Sequence, residues 1–431
     1  MILGTDNCPS LPFSNMEKLY ELYLKHPQIC TDTRNIIPDC LFVCLKGERF
    51  DGNTFAMSAL EQGAAYVITE NTDLSDNPRC VVVADSLKTL QELAAYHRQQ
   101  LTIPVIGITG TNGKTTTKEL VSSVLSKKFR TAYTKGNLNN HIGVPLTLLS
   151  IRPDDEIAIV EMGANHPGEI EFLCNIARPG FGLITNVGKA HIEGFGSEAE
   201  IVHTKKALYR SVIRDHGTLF VNVNDSKLRD GLDYDKIVYY AEGGEDNIVD
   251  MSPYLRIRVA GCEVDTHLTG SYNIYNFLAA AAVGHYFGVT DKQTAEALSE
   301  YTPSNHRSQI NKIGSNVIIS DYYNANPTSM EAALRNLAKL SHPHKLAILG
   351  DMGELGAVSH DEHLKIIQLC ESLGLDALFV GSEFAFHHPK RCYHDVEELN
   401  QILKEQPITD SMILVKGSNY MHLNKLTELL G

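Results

Sequence analysis

The chain has 431 residues, of which 43% are hydrophobic and 21% are charged. At about 150 residues per domain this length predicts two to four domains, and the composition excludes a disordered, collagenous or low-complexity chain. The net charge of −14 excludes a general attraction for nucleic acid or anionic membranes, so any phosphate-bearing ligand needs a local binding device.

The N-terminal segment and the cysteines indicate a cytoplasmic protein. The first six residues, Met-Ile-Leu-Gly-Thr-Asp, lack the basic and apolar regions of a secretory signal. The longest apolar run, residues 277–283, is far shorter than the roughly 20 residues that span a bilayer. Nine scattered cysteines favour reduced thiols over disulfides or a zinc site. We therefore expect a cytoplasmic protein without membrane insertion.

Residues 1–100 predict a small α/β unit. Strands are predicted by short apolar or β-branched runs at residues 41–45, 66–69 and 80–84. The clearest helix places Leu87, Leu90, Leu93 and Ala94 on one face.

Residues 101–303 predict a second unit, in which strands and helices alternate around a parallel sheet. Its strands are predicted at residues 105–109, 156–161, 182–186 and 218–222. Residues 254–268 alternate apolar and polar side chains, which indicates antiparallel strands, and the alanine-rich run 276–287 predicts a helix.

Residues 304–431 predict a third, Rossmann-like unit without a GxGxxG motif. Strands are predicted at 317–321, 345–349, 378–380 and 412–415, and helices at 329–340 and 360–373. The predicted fold class is α/β with three domains.

A glycine-rich turn follows the strand at 105–109 and precedes a helix. Backbone N–H groups in such a turn and at the helix N-terminus favour phosphate. Lys114 is expected to reach the β- and γ-phosphates, and the Thr115 hydroxyl to bind Mg²⁺. The strict GxxxxGK[ST] pattern requires glycine at position 108, which is isoleucine here. The turn consists of Gly110, Thr111, Asn112, Gly113, Lys114, Thr115 and Thr116.

Polar residues also follow other predicted strands. Glu161 ends an apolar strand and could share Mg²⁺ with Thr115, or it could be a salt-bridge partner. His191 follows the strand at 182–186. Lys205 and Lys206 lie in a predicted helix, where the sequence alone favours a solvated face.

A polar pair and three strand-terminal segments complete the candidates. Asn273 and Asn276 lie one turn apart at a helix start, where a cap explains one of them and a ligand would explain both. Polar segments end predicted strands of the third unit at residues 321–327, 350–356 and 416–419. Because candidate residues follow strand ends in both the second and the third unit, we expect the two units to share one cleft.

These segments together resemble the Mur ligase family, ATP-dependent enzymes that build the cytoplasmic peptidoglycan precursor, and the resemblance covers essentially the whole chain. The family's ATP loop also lacks the first Walker glycine, which accounts for Ile108. Four long segments, at residues 136–147, 161–170, 321–330 and 349–356, resemble the member that adds D-alanyl-D-alanine to UDP-N-acetylmuramoyl-tripeptide.

The resemblance implies catalytic and metal-binding roles for several residues. Lys114 is implied in catalysis, Glu161 as a Mg²⁺ ligand and His191 as the ligand of a second Mg²⁺. Lys205, four residues before Tyr209, matches the family's lysine that CO₂ converts to a metal-binding carbamate, although Lys206 leaves the register open.

The resemblance also implies binding residues, with two departures. Tyr272 replaces a common histidine, and Asn419 replaces the arginine of a common KGSR sequence. The implied ATP-binding residues are the loop 110–116, Asn273, Asn276, Arg307 and Asp321. The implied substrate-binding residues are Asp32, Arg34, Lys46, Gly47, Asn139, Asn140, His166, Tyr323, Asn324, Asn326 and Ser418.

The implied domains are a UDP-muramoyl-binding unit (1–100), a central ATP-binding unit (101–303) and a C-terminal ligase unit (304–431). The implied reaction forms an acyl phosphate from ATP and then an amide, with ATP, Mg²⁺ and the lysine carbamate as cofactors, in a monomer that binds no nucleic acid. The alternatives are a family member that adds a single amino acid, a folylpolyglutamate synthase-like ligase, and an ATP-dependent switch protein. The sequence leaves open whether the tripeptide ends in diaminopimelate or lysine.

Overall fold

The computed structural model describes residues 13–48, 50–190, 192–303, 307–427 and 429–430. Its strands form three parallel or mostly parallel sheets with helices on their faces. The α/β fold class is therefore confirmed.

The first sheet has four parallel strands in the order β1-β2-β5-β6. A short antiparallel hairpin, β3-β4, falls between β2 and β5 in the sequence. The elements are α1 (Phe13–Lys25), β1 (Ile29–Cys30), β2 (Leu41–Val43), β3 (Lys46–Gly47), β4 (Phe50–Asp51), α2 (Ala56–Glu61), β5 (Tyr66–Thr69), β6 (Cys80–Val82) and α3 (Ser86–Gln100).

The central sheet has six parallel strands in the order β12-β11-β10-β7-β9-β8. Its first half comprises β7 (Val105–Thr109), α4 (Lys114–Leu125), β8 (Thr131–Tyr133), α5 (Gly143–Leu149), β9 (Ile157–Glu161), α6 (Glu169–Ala177) and β10 (Phe181–Ile184). The second half comprises α7 (Ile192–Phe195), α8 (Glu198–Arg214), β11 (Thr218–Asn222), α9 (Ser226–Arg229) and β12 (Ile237–Tyr240).

A small antiparallel sheet, β13-β14-β15, follows the central sheet and carries the predicted alternating segment. Two helices then lead toward the third sheet. These elements are β13 (Ile248–Asp250), β14 (Arg256–Val259), β15 (Cys262–Asp265), α10 (Ile274–Tyr286) and α11 (Asp291–Glu300).

The third sheet has the order β16-β17-β21-β18-β19-β20, in which only β16 runs antiparallel to its neighbour. Its elements are β16 (Gln309–Ile313), β17 (Asn316–Asp321), α12 (Pro327–Lys339), β18 (Lys345–Gly350), α13 (Ser359–Ser372), β19 (Asp376–Val380), α14 (Ser382–Ala385), β20 (Cys392–Tyr393), α15 (Val396–Glu405), β21 (Met412–Lys416) and α16 (Asn424–Thr427). Short 3₁₀ helices lie at Thr33–Asn35, Gly52–Phe55, Thr72–Leu74, Gly244–Asn247, Ser271–Asn273, Gly356–Val358 and Asn419–Met421.

One hydrophobic cluster joins a face of the first sheet to a face of the central sheet, and the opposite faces have separate clusters. Helix α3 packs against α5 and α6, and its Leu90 and Leu93 are fully buried. Leu41 of β2 and Val160 of β9 belong to the same continuous buried cluster. The third sheet has separate clusters on its two faces. The domain boundaries at residues 100 and 303 therefore remain predictions. The boundary at residue 100 does not separate two hydrophobic cores.

Parallel sheets place the carboxyl ends of their strands at one edge, and ligands bind outside that edge. β7 and β9 of the central sheet and β17 and β21 of the third sheet all end at the cleft described below. Among the described residues, none of the helices has both the length and the apolar character needed to cross a bilayer.

A buried histidine links α1 and α3 to the central unit. The Tyr20 hydroxyl lies 3.1 Å from His97 Nδ1, and His97 Nε2 lies 3.3 Å from the Ile151 carbonyl oxygen. The Tyr23 hydroxyl donates to the Leu149 carbonyl at 2.7 Å. Burial lowers the pKa of His97, so its ring is held neutral at neutral pH.

We predict that this histidine makes the first two units less stable at mildly acidic pH. Because the folded pKa of His97 is below its unfolded value of about 6.5, the unfolded state binds more protons, and stability falls as pH drops below that value. In urea unfolding at pH 5 and pH 7.5, His97→Gln should show a smaller pH dependence than the wild type. The control, His285→Gln, changes an exposed residue and should retain the wild-type dependence. An unchanged dependence in His97→Gln would contradict the prediction.

Candidate active site

A cleft of about 1640 Å³ lies between the three sheets, and residues from all three units line it. Most of the predicted site residues line this cleft. They are Thr111, Asn112, Gly113, Lys114, Thr115, Thr116, Asn139, Asn140, Glu161, His166, Asn273, Asn276, Arg307, Asp321, Tyr323 and Asn324.

The remaining predicted residues that the structure describes are not among those that line the cleft. Gly110 and Asn326 lie in the surrounding loops, and Ser418 accepts a hydrogen bond from the Gly353 N–H at 2.8 Å. Asp32 and Arg34 form an exposed ion pair with each other, at 2.6 Å. Lys46 pairs with Glu70 on the surface, and Gly47 adjoins it. Lys205 is described separately below, and His191 lies outside the described residues.

The glycine-rich turn connects β7 to α4. Lys114 Nζ folds back onto this turn and donates to the carbonyl oxygens of Gly110 and Thr111, at 2.8 and 3.0 Å. Burial, opposed in part by Glu161, lowers the pKa of Lys114 to about 8. A partly buried cation at this position is placed to meet a phosphate.

The loop after β10 fixes the backbone of the turn. Thr111 N–H donates to the Asn186 carbonyl at 2.9 Å, and Asn112 N–H donates to Asn186 Oδ1 at 3.0 Å. These two N–H groups are therefore engaged within the protein. The N–H groups that begin α4, which have no partners within the helix, are the ones placed to bind an anion.

Glu161 ends β9 and is completely buried. Its Oε1 accepts hydrogen bonds from Thr115 Oγ1 at 3.1 Å and from Asn139 Nδ2 at 2.7 Å. Its Oε2 is buried without a hydrogen-bond partner, and Lys118 Nζ lies 3.6 Å from it. A hydroxyl and a carboxylate with an oxygen to spare are ligands that Mg²⁺ accepts.

No cluster of three or more histidine, cysteine, aspartate or glutamate side chains suitable for a metal occurs in the portion of the chain that the structure describes. A metal at Glu161 would therefore depend on ligands from bound phosphates, as is usual for Mg²⁺ in nucleotide sites.

The third unit closes one side of the cleft through a polar cluster. Asp321 and Lys416 end the adjacent strands β17 and β21 and form an ion pair at 2.7 Å. The Arg307 guanidinium stacks on the Tyr323 ring, 4.0 Å from its centre. Burial, together with the charge of Asp321, raises the pKa of Tyr272, whose hydroxyl lies 2.8 Å from Ser308 Oγ.

Hydrogen bonds through two asparagine side chains join α10 to α4. Asn276 Nδ2 donates to Asn273 Oδ1 at 2.8 Å, and Thr117 Oγ1 donates to Asn276 Oδ1 at 3.0 Å. Asn273 in turn donates to the Thr269 carbonyl at 2.7 Å. Both asparagines are buried and line the cleft, so neither is a simple surface cap.

The two adjacent lysines of α8, Lys205 and Lys206, differ in how deeply they are buried. Lys205 is 2% exposed, lies over the Phe195 ring and has a pKa well below its usual range because of burial and the nearby Lys114. Lys206 is partly exposed and donates to the Asp230 carbonyl at 3.4 Å. The expectation of a solvated helix face is therefore wrong for Lys205.

Hydrogen bonds join the central and third units across the cleft. Asn326, which caps α12, donates through Nδ2 to Asn112 Oδ1 at 2.8 Å. Lys189 N–H donates to Thr328 Oγ1 at 3.2 Å. Asn326, whose sequence position predicts a substrate contact, here links the third unit to the glycine-rich turn.

Two residues of the site, Asn186 and Lys118, and one pairing, that of Lys416 with Asp321, are not predicted from the sequence. Asn186 follows β10 at the same sheet edge as Glu161, and Lys118 lies one helical turn after Lys114, so position and helical spacing could have indicated both. The pairing of Lys416 with Asp321 depends on the register of β17 and β21, which the sequence does not reveal.

Comparisons with known proteins match family models along most of the chain. Residues 27–107 match the Mur ligase family catalytic domain, residues 108–284 the Mur ligase middle domain, and residues 306–419 the Mur ligase glutamate ligase domain.

Individual relatives are similar over nearly their full lengths. The chain is 34% identical to the UDP-N-acetylmuramoyl-tripeptide–D-alanyl-D-alanine ligase of Bacillus subtilis, over 93% of this chain and 92% of that protein. A crystal structure of MurF from Acinetobacter baumannii shows 33% identity and a TM-score of 0.82, covering 94% of this chain and 93% of that chain. MurF ligase from Thermotoga maritima, solved with ADP, shows 26% identity and a TM-score of 0.82, covering 94% and 97%.

The geometry predicts a specific effect of substitution in the glycine-rich turn. Gly113 has φ of +79°, and a Cβ there would lie 2.7 Å from Asn276 Oδ1. Gly113→Ala should therefore add a steric clash to backbone strain and weaken ADP binding by about tenfold or more, measured by calorimetry. Gly231→Ala is the matched control, because Gly231 has the same φ of +79° with nothing within 4 Å. Equal ADP affinity in the two variants would refute this expectation.

Proposed function

The chain belongs to the Mur ligase family, and we propose that it joins D-alanyl-D-alanine to UDP-N-acetylmuramoyl-tripeptide with hydrolysis of ATP to ADP and phosphate. The observation that carries this proposal is the 34% identity, over 93% of the chain, to a ligase named for that reaction. A ligase that adds a single amino acid, or one like folylpolyglutamate synthase, is not favoured by these relatives. We place the reaction in the cytoplasm, where ATP is available.

The residues at the strand ends support ATP binding. The N-terminus of α4 and Lys114 would hold the phosphates, since both direct positive charge into the cleft. Asn273, Asn276, Arg307 and Asp321 line the same cleft and would hold the base and ribose. Other residues that line this cleft would contact the substrate peptide; they are Asn139, Asn140, His166, Tyr323 and Asn324.

Thr115 and Glu161 would hold Mg²⁺, because the Thr115 hydroxyl lies 3.1 Å from Glu161 Oε1 and the buried Oε2 accepts no hydrogen bond from the described residues. When bound with the nucleotide, Mg²⁺ would neutralise charge on the transferred phosphoryl group. Lys205 remains the proposed carbamate position. Its low pKa makes the neutral amine, the form that reacts with CO₂, available closer to neutral pH.

The chemistry proceeds in two steps. A carboxylate oxygen of the tripeptide attacks the γ-phosphorus of ATP, which breaks the bond to ADP and forms an acyl phosphate. The amine of D-alanyl-D-alanine then attacks the acyl carbon, phosphate leaves, and the amine loses a proton. Lys114 stabilises the charge that develops in the first step. The contacts of Asn112 with Asn326 and of Lys189 with Thr328 would keep water from the acyl phosphate.

A phosphate-release assay tests the function. We expect release only when ATP, a UDP-muramoyl-tripeptide and D-alanyl-D-alanine are all present, with tripeptides ending in diaminopimelate and in lysine offered separately. Lys114→Met should lower kcat by about a hundredfold or more, because it removes a preorganised cation. Lys128→Met, at a lysine that contacts backbone carbonyls away from the cleft, is the control. Release with single amino acids but not with D-alanyl-D-alanine would overturn the proposed function.

A second experiment tests the carbamate at Lys205. Removing CO₂ at pH 7.5 should lower kcat by about tenfold or more, and bicarbonate should restore it, because the amine alone supplies no negative charge. Lys205→Met should be nearly inactive and insensitive to bicarbonate, whereas Lys206→Met should respond as the wild type does. Full activity of the wild type without CO₂ would be evidence against the carbamate.

A further inference from the structure

Lys118 is a buried cation that the reaction described above does not use. It lies on α4 one turn after Lys114, and its side chain is 1% exposed. A lysine this deeply buried requires specific compensation, since isolated charges are costly to remove from water.

The surroundings of Lys118 show where that compensation comes from. Its Nζ lies 3.6 Å from Glu161 Oε2 and 3.9 Å from Glu119 Oε1. It also donates a hydrogen bond to the Gly136 carbonyl at 3.3 Å and lies 5.9 Å from the centre of the Tyr133 ring. The lysine therefore touches both the metal-binding carboxylate and the loop that carries Asn139.

The two oxygens of Glu161 are divided between different partners. Oε1 accepts hydrogen bonds from the hydroxyl of Thr115 and the amide of Asn139, whereas Oε2 lies 3.6 Å from the Lys118 ammonium and accepts no hydrogen bond from the described part of the chain. An ammonium on one oxygen and two neutral donors on the other fix the rotation of the carboxylate. Glu161 is thereby held toward Thr115 before any metal arrives.

The same arrangement opposes a bare divalent cation. Lys114 and Lys118 both lie close to Glu161, and Glu119 lies 3.9 Å from Lys118, so two cations face two carboxylates and Glu161 brings no net negative charge to attract a metal. A metal ion at Glu161 would be repelled by Lys118 at short range in a buried environment, where charges interact strongly. The phosphates of a bound nucleotide would supply the missing negative charge.

We propose that Lys118 is a positioning residue that aims Glu161 at Thr115 and prevents tight metal binding until a nucleotide triphosphate supplies negative charge. This inference rests on the proposed function, because it assigns Glu161 to the metal of an ATP site. It predicts that metal and nucleotide bind together rather than metal first.

The first measurement uses the wild-type protein without nucleotide and Mn²⁺ as the probe. Free Mn²⁺ is measured by electron paramagnetic resonance during titration of the full chain. We expect a dissociation constant weaker than about 10⁻⁴ M, the range of low-affinity cation sites. A tighter dissociation constant would overturn the proposal, because Lys118 would then not oppose the metal.

The second measurement compares neutral and charged replacements. Lys118→Gln, which keeps a hydrogen-bond donor, and Lys118→Met should each bind Mn²⁺ about tenfold more tightly than the wild type. Lys118→Arg keeps the charge and should bind as weakly as the wild type, and Lys128→Met should be unchanged. A purely structural role would weaken Mn²⁺ binding or leave it unchanged in the neutral variants, and that result would overturn the proposal.

Folding is checked by circular dichroism before titration, because loss of Lys118 leaves a buried carboxylate uncompensated. If one neutral variant fails to fold, the Mn²⁺ affinity of the other variant tests the proposal. If both fail to fold, the Mn²⁺ titration of the wild type tests it. Failure of the ligase assay with the expected Mn²⁺ pattern would overturn the proposed function alone. Ligase activity with unchanged Mn²⁺ affinity in the neutral variants would overturn only the role of Lys118.

Discussion

The structure around the cleft depends on the burial of one carboxylate. Glu161 is inaccessible to solvent at the end of β9, and a buried charge without partners costs several kcal/mol or more. The charge of Glu161 is compensated by hydrogen bonds from Thr115 and from Asn139 of the loop after β8, and by the ammonium of Lys118 on α4. The backbone N–H of Glu161 itself donates to Thr134 Oγ1 at 3.0 Å. Two separate segments, the start of α4 and the loop after β8, are therefore held against the end of β9 by a single residue.

The parallel sheets explain why these segments meet. Strands β7 and β9 are neighbours, so the glycine-rich turn and Glu161 leave the sheet side by side. Strands β17 and β21 are neighbours in the third sheet, and their ends bring Asp321 and Lys416 together. The cleft is thus the meeting place of two sheet edges, and the amide contact between Asn112 and Asn326 joins them.

Much of this arrangement follows from the sequence, and the exceptions have physical reasons. Lys114 and Thr115 are predictable because a strand, a glycine turn and a helix in succession allow few geometries. The burial of Lys205 rather than Lys206 depends on which face of α8 packs on the central sheet, and adjacent lysines carry no signal of that choice. The contact between Asn112 and Asn326 joins residues 214 positions apart, and local patterns contain no information about it. The short strand β8 was missed because Thr131-Ala-Tyr133 is a partly exposed edge segment without a long apolar run.

The buried cluster shared by the first two sheets makes them one cooperative folding unit, although they are formed by different segments of the chain. Leu41, Leu90 and Val160 belong to one buried cluster, although the first two precede residue 100 and the third follows it. A fragment ending at residue 100 would expose the inner face of α3 to water, whereas the third sheet has its core residues on its own elements. The first two units thus share a single folding fate, whereas the interior of the third unit is built from its own elements, so that changes to its sequence would leave the interior of the other two closed.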